Sequence, residues 1–215
     1  MQNSTHDIIH KVVAKAKKGS LLFPADFKGL ADDAAINMAL SRLNKEGAIK
    51  RLAHGIYVIP KYDPLLGLLY PGMEEIAKAI ADRDRARIRP TGSFALHKLG
   101  LSTQVPMNLV YLTDGAPRKI KIGKGSIRFI KTTPKKLMLT GPISSLVIQA
   151  LEELGPKEVT PDMEKKLKEL LKQETKRNLI NDFKFAPAWI CKLMVDYTQL
   201  NPFHDGTASL TSRTA

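Results

Sequence analysis

The chain has 215 residues, with 34 Lys/Arg against 21 Asp/Glu and a formal net charge of +13. Its apolar share of 43% suits a globular protein, and no apolar run approaches the roughly 18 residues that a membrane helix needs. The single cysteine, Cys191, excludes an intrachain disulfide and fits a reducing cytoplasm, so the expected location is cytoplasmic.

The charge is divided unevenly. Residues 1–62 carry 10 Lys/Arg against 5 Asp/Glu, residues 63–140 carry 14 against 6, and residues 141–215 carry 10 against 10. The excess lies in the first two-thirds and points to a polyanionic partner there.

The opening MQNSTHDIIHKVVAKAKKG lacks the continuous apolar core of a signal peptide and reads as an amphipathic helix, with Ile8, Ile9, Val12, Val13 and Ala16 inward. From Leu21 to Pro60 the pattern is a short helix started at Pro24, a turn, a second helix of about fourteen residues, then a tight hairpin. Asp32 or Asp33 caps the second helix, Ile36, Ala39, Leu40 and Leu43 share its apolar face, and Gly47 stops it. Ile49–Leu52 and Ile56–Ile59 are strand-like and meet through Ala53-His54-Gly55. This order predicts a winged helix-turn-helix, which holds one helix in a DNA major groove.

Rotation by about 100° per residue puts Ala34, Asn37, Met38, Ser41, Arg42 and Lys45 opposite that apolar face. Asn and Arg read adenine and guanine edges bidentately, Ser bonds either, and Lys and Arg reach phosphates. Lys50, Arg51 and His54 place cations on the wing. The expected DNA-binding set is therefore Asn37, Ser41, Arg42, Lys45, Lys50, Arg51 and His54.

Tyr62-Asp63-Pro64 reads as a linker, since proline restricts the residue before it. Beyond it come a helix over Met73–Asp82 with Ile76, Ala77 and Ile80 buried, and a strand over Ala86–Arg89 ended by Pro90. A short helix follows over Ser93–Leu99, capped by Thr91 or Ser93 and closed by Gly100. Strands are expected at Asn108–Thr113, Lys119–Ile122 and Ser126–Lys131, joined by turns at Asp114–Pro117 and Gly123–Gly125. Lys119, Lys121 and Arg128 alternate with Ile120, Ile122, Ile127 and Phe129, which gives one buried and one cationic face.

From Ile143 the period becomes helical: Ile143–Leu154, a helix opened by Thr160-Pro161 with Met163, Leu167, Leu170 and Leu171 inward, then Leu179–Phe183 and Pro187–Leu200. Residues 201–215 lack periodicity and are expected to be disordered. The predicted class is α+β: a winged helix-turn-helix over residues 1–62, a small α/β domain with a mixed or antiparallel sheet over 63–140, a helical C-terminal part over 141–200, and the tail.

No enzyme chemistry is expected. The histidines show no metal-ligand spacing to one another or to Cys191, and Gly123-Lys124-Gly125 lies between strands rather than in a phosphate loop. The strands carry Lys and Arg where a metal-dependent nuclease needs acids. Asp82 and Asp84 are expected to pair with Arg83, Arg85 and Arg87. No metal and no cofactor is called for.

The run DDAAINMALSRLNKEGAIKRLAHGIYVIP resembles the N-terminal winged helix of AbiEi-type antitoxins of type IV (abortive-infection) toxin–antitoxin systems. The block RIRPTGSFALHKLGLSTQVPMNLVYLTDGAPRKIKIGKGSIRFIK is similar to the second part of that family, so the resemblance covers about residues 20–135. It implies a bifunctional protein. The winged helix would bind double-stranded operator DNA and repress the antitoxin–toxin operon. The next domain would counteract a nucleotidyltransferase-like toxin without a stable complex. The family offers no catalytic motif, so charge alone nominates Arg87, Arg89, Lys98, Arg118, Lys119, Lys121 and Arg128 as an antitoxic or nucleic-acid surface. A plain winged-helix regulator, whose second domain binds an effector or mediates dimerisation, is the alternative. An RNA reader on the basic sheet is a third, disfavoured because only Tyr111 and Phe129 could stack bases there and Phe129 falls among the buried positions.

Overall fold

The computed structural model describes residues 4–200, so the tail at 201–215 lies outside the described residues. The chain is α+β and forms two compact units: Met1–Arg83 with Ile120–Ile127, and Asp84–Lys119 with Arg128–Ala215.

In the first unit, α1 (Thr5–Lys15) begins with a capping box, in which Ser4 Oγ accepts from Asp7 N and the Asp7 carboxylate accepts from Ser4 N. Ile9 and Val13, one turn apart, are buried, and Ile8 and Ala16 are half-buried. Val12 departs from the expected inward set: it is 44% exposed, because the buried stripe is only as wide as the Ile9–Val13 ridge. A two-residue strand, β1 (Leu21–Leu22), and a 3₁₀ turn (Pro24–Phe27) lead to α2 (Asp33–Lys45), whose N-cap Asp32 accepts from Ala35 N at 2.7 Å.

Ile36, Ala39, Leu40 and Leu43 are buried on α2, as the spacing predicts. Gly47, at φ +80°, turns the chain toward β2 (Lys50–Ala53) and β3 (Ile56–Val58). The sheet order is β1-β3-β2, antiparallel, with Val58 opposite both Leu21 and Lys50. Ile9, Phe27, Ile36, Leu40, Leu43, Ile49 and Ile59 form the core on which α2 and the hairpin sit.

Where the sequence reads a linker, the chain makes a second hairpin, β4 (Lys61–Asp63) and β5 (Gly67–Leu69). Asp63 Oδ1 accepts from the N–H groups of Leu65 and Leu66 at 2.9 and 3.0 Å, an Asx-type turn. Three-residue strands show too little alternation to be read from sequence. α3 (Met73–Arg83) buries Ile76, Ala77, Ile80 and Ala81.

β6 (Ile88–Pro90) runs antiparallel to β7 (Asn108–Thr113), and with β8 (Arg118–Ile122) and β9 (Gly125–Lys131) the sheet order is β6-β7-β9-β8; residues 120–127 of the last two strands count with the first unit. α4 (Ser93–Lys98) is entered through Gly92 at φ +64°, without the expected Thr91 or Ser93 side-chain cap. α5 (Pro134–Leu137) is short, and α6 (Ser144–Leu154) packs chiefly on α4 and also on α8 (Lys176–Phe183) and α9 (Ala188–Thr198), with α7 (Pro161–Leu171) against α9 and all of them contributing to one apolar core. Thr160 and Thr175 cap α7 and α8.

Two buried carboxylates fasten the turn that enters α6. Asp182 is fully buried and accepts from Thr140 N (2.7 Å), Gly141 N (3.0 Å) and Ser144 Oγ (2.6 Å). Glu174 accepts from Ile143 N (2.8 Å), Ser144 N (3.3 Å), Thr175 N (3.0 Å) and Asn178 Nδ2 (2.8 Å). Burial pushes the Glu174 carboxyl up, but these hydrogen bonds outweigh it and hold it below its ordinary value. Gly141 is glycine for a steric reason: a Cβ there would lie 1.9 Å from Ser144 Oγ and 2.7 Å from Glu174 Oε2.

Candidate nucleic-acid interface

On α2, Asn37, Ser41, Arg42 and Lys45 are all exposed, on the side opposite the buried Ile36, Ala39, Leu40 and Leu43. The Asn37 amide nitrogen donates to the Asp33 carbonyl at 2.8 Å, so its Oδ1 is the atom left to accept from a base. Arg42 reaches only the sulfur of Met38, at 3.5 Å. Among the described residues, Arg42, Lys45, Lys50 and Arg51 have no carboxylate within ion-pair distance. Met38 is 57% exposed in the middle of this face. An exposed thioether there is a suitable contact for a thymine methyl, a role that a search for polar readers passes over.

The hairpin carries the rest of the set. Lys50 is half-buried, and Arg51 and His54 are exposed. Gly55 closes the turn at φ +68°, where a side chain would be strained. The Arg51 side chain folds back on this turn, with Nε donating to the Ala53 carbonyl at 3.3 Å and a terminal nitrogen 3.0 Å from His54 Nδ1. Arg51 N also donates to Asn44 Oδ1 at 2.9 Å. Asn44 therefore ties the last turn of α2 to β2 and fixes hairpin against helix. Sequence reasoning missed it, since an asparagine next to the last residue of a helix also fits a simple stop signal.

The cations nominated between Arg87 and Arg128 have several fates. Arg87 pairs with Asp114 at 2.8 Å, and that arginine, through its side chain and its backbone N–H, holds the Asp114 carboxyl below its ordinary value. Arg118 pairs with Asp84 and lies 5.6 Å from the Phe129 ring centre. Arg87, expected to pair with Asp82 or Asp84, thus takes Asp114 in the turn after β7, and Asp84 takes Arg118 on β8, each about thirty residues away in sequence. Arg89 donates to the Leu139 carbonyl; burial lowers its pKa, and the negative Asp182 acts against that shift. Lys98 stands 5.5 Å from the Phe94 ring centre. Lys119, Lys121 and Arg128 are exposed and alternate with more buried neighbours, as the strand period predicts.

Cys191 is half-buried beside the apolar core, and burial pushes its thiol up, away from the reactive thiolate. No described helix is long and apolar enough to cross a membrane.

The DUF6088 family, described as a family of unknown function, matches residues 8–179. The chain belongs to that family. No curated protein matches it. Among solved structures, the crystal structure of the RV2827C protein from Mycobacterium tuberculosis is similar over 90% of this chain and 81% of that one, with 10% identity and a TM-score of 0.43.

Proposed function

We propose that α2 and the β2–β3 hairpin form a winged helix-turn-helix that binds double-stranded operator DNA, with no enzymatic activity of its own. The observation that carries this reading is a solvent-facing stripe of Asn37, Ser41, Arg42 and Lys45. It is free of carboxylate partners and is continued by Lys50, Arg51 and His54 on a hairpin latched to the same helix. Asn37 and Arg42 supply base discrimination, and the lysines and Arg51 supply phosphate contacts.

The AbiEi resemblance extends this to a cytoplasmic antitoxin that represses its own operon and counteracts a nucleotidyltransferase-like toxin without a stable complex. Lys119, Lys121 and Arg128 are the exposed cations that serve this second role. The plain-regulator reading also has support, because Arg87 and Arg118 are held in internal ion pairs and Arg89 donates to a backbone carbonyl.

Residues 63–83 belong to the first compact unit, so a cut near Asp63 would divide it, and the test uses full-length variants. Promoter repression and growth rescue are scored side by side, with a neighbouring nucleotidyltransferase-like gene as the toxin. Arg42→Glu with Arg51→Glu removes repression and spares rescue. Lys119→Glu, Lys121→Glu and Arg128→Glu together spare repression and remove rescue. If the second variant rescues normally, the antitoxin reading fails and the plain regulator stands.

A further inference from the structure

A second basic feature of the first unit lies away from the hairpin turn. Lys17 and Lys18 follow α1, Lys61 begins β4, and with Ser20, Tyr70 and Glu75 they line a cleft of about 340 Å³. That volume falls at the lower end of the roughly 300–1,000 Å³ typical of small-molecule sites. Among the described residues, none of the three ammonium groups has an ion-pair partner.

The backbone fixes this arrangement before any ligand arrives. Gly19 N donates to the Ile59 carbonyl at 2.9 Å and Ile59 N donates to the Ser20 carbonyl at 3.0 Å, which pins the Lys17–Ser20 loop to the end of β3. Gly19, at φ +86°, lies along the stem of Lys61, and a Cβ placed there would be 3.6 Å from Lys61 Cδ. Ile59 is four residues from Gly55, about 13 Å along an extended strand, so the cleft is distinct from the hairpin turn proposed to meet DNA.

Three unpaired ammonium groups call for a ligand with more than one negative charge. The Tyr70 ring, 61% exposed at the rim, offers a flat apolar surface, and Glu75 offers an acceptor for a sugar hydroxyl. We propose that this cleft binds a free nucleotide, with its phosphates among Lys17, Lys18 and Lys61 and its base against Tyr70. This site is independent of the DNA reading.

The test is calorimetry on the full chain with ATP, GTP and inorganic pyrophosphate as probes. Single-site saturation by at least one nucleotide is expected. Lys17→Ala with Lys61→Ala weakens it about tenfold or more without moving the melting temperature, since both side chains are exposed. Tyr70→Ala weakens the nucleotide and leaves pyrophosphate unchanged, whereas Glu75→Gln tightens pyrophosphate. Three results would overturn the proposal: no saturation by any nucleotide; equal binding by the double lysine variant; or loss of nucleotide in Lys50→Ala with Arg51→Ala, which marks general polyanion binding on the hairpin. If the cleft lysines prove to matter only for duplex DNA, nucleotide binding is absent and the proposal falls while the DNA reading survives.

Discussion

Replacing Arg51 by alanine separates phosphate contact from base reading. Four permanent cations stand on α2 and the hairpin, the exposed Arg42, Lys45 and Arg51 and the half-buried Lys50. If each neutralises one phosphate, affinity falls with salt at a logarithmic slope of about −3.6, or about 150-fold between 50 and 200 mM salt. Removing Arg51 leaves about three contacts, a slope of about −2.7 and a loss of about 40-fold over the same range. The loss should be equal for operator and unrelated duplex, because phosphates carry no sequence. Its size at fixed salt is moderated by geometry, since Arg51 already donates to the Ala53 carbonyl and contacts His54, and it must give up part of this to reach DNA. Arg42→Ala behaves differently: it costs about 1–3 kcal/mol on the operator and relaxes preference at one base pair. Fluorescence anisotropy with labelled duplexes at several salt concentrations measures both quantities. Parallel salt slopes for wild type and Arg51→Ala would refute the placement of this hairpin against the phosphates.

Three further outcomes follow from the packing. Leu40→Ala, at a fully buried site between α1 and the hairpin, lowers stability by about 2–5 kcal/mol in chemical denaturation, whereas the exposed Ser41→Ala leaves the midpoint nearly unchanged. Asp182→Ala strands the buried Gly141 N–H and Ser144 hydroxyl, at about 1–3 kcal/mol each, so thermal melting should show one of the largest losses of any single substitution in the second unit. Glu174 is held below its ordinary value of 4.5 in the folded state, so its stabilisation is present above that pH and is lost as pH falls through the lowered value; Glu174→Gln should flatten the acid limb of a stability–pH curve.

The sequence makes α2 legible because everything that shapes it is local: the Asp32 cap, the Ile36–Ala39–Leu40–Leu43 spacing and Gly47 lie within sixteen residues. β7 is read residue for residue, since a six-residue strand bounded by turns has enough alternation to show its period. The β4–β5 hairpin is hidden because Asp-Pro signals an open linker as readily as a turn. What separates the two is whether the Asp63 carboxylate closes on Leu65 and Leu66. The clamp at Gly141 is illegible for another reason: Asp182 and Glu174 sit among helix-face charges and differ from the solvated ones only through partners some thirty to forty residues earlier.

The same long-range pairing bears on how charge along a chain is interpreted. Residues 63–140 carry the larger formal excess, yet a cation matched by an adjacent carboxylate adds little field beyond a Debye length, about 8–10 Å near physiological salt. Asp114 and Asp84 cancel Arg87 and Arg118 in this way, and Arg89 is spent on a backbone carbonyl. Residues 1–62 have the smaller excess but keep Arg42, Lys45, Lys50 and Arg51 without acidic partners among the described residues. Attraction for a polyanion follows unpaired charge on an exposed face rather than charge per segment. On that criterion Arg87, Arg89 and Arg118 drop out of the second candidate surface, which narrows to Lys119, Lys121 and Arg128, as exposed and as free of carboxylate partners among the described residues as Arg42, Lys45 and Arg51.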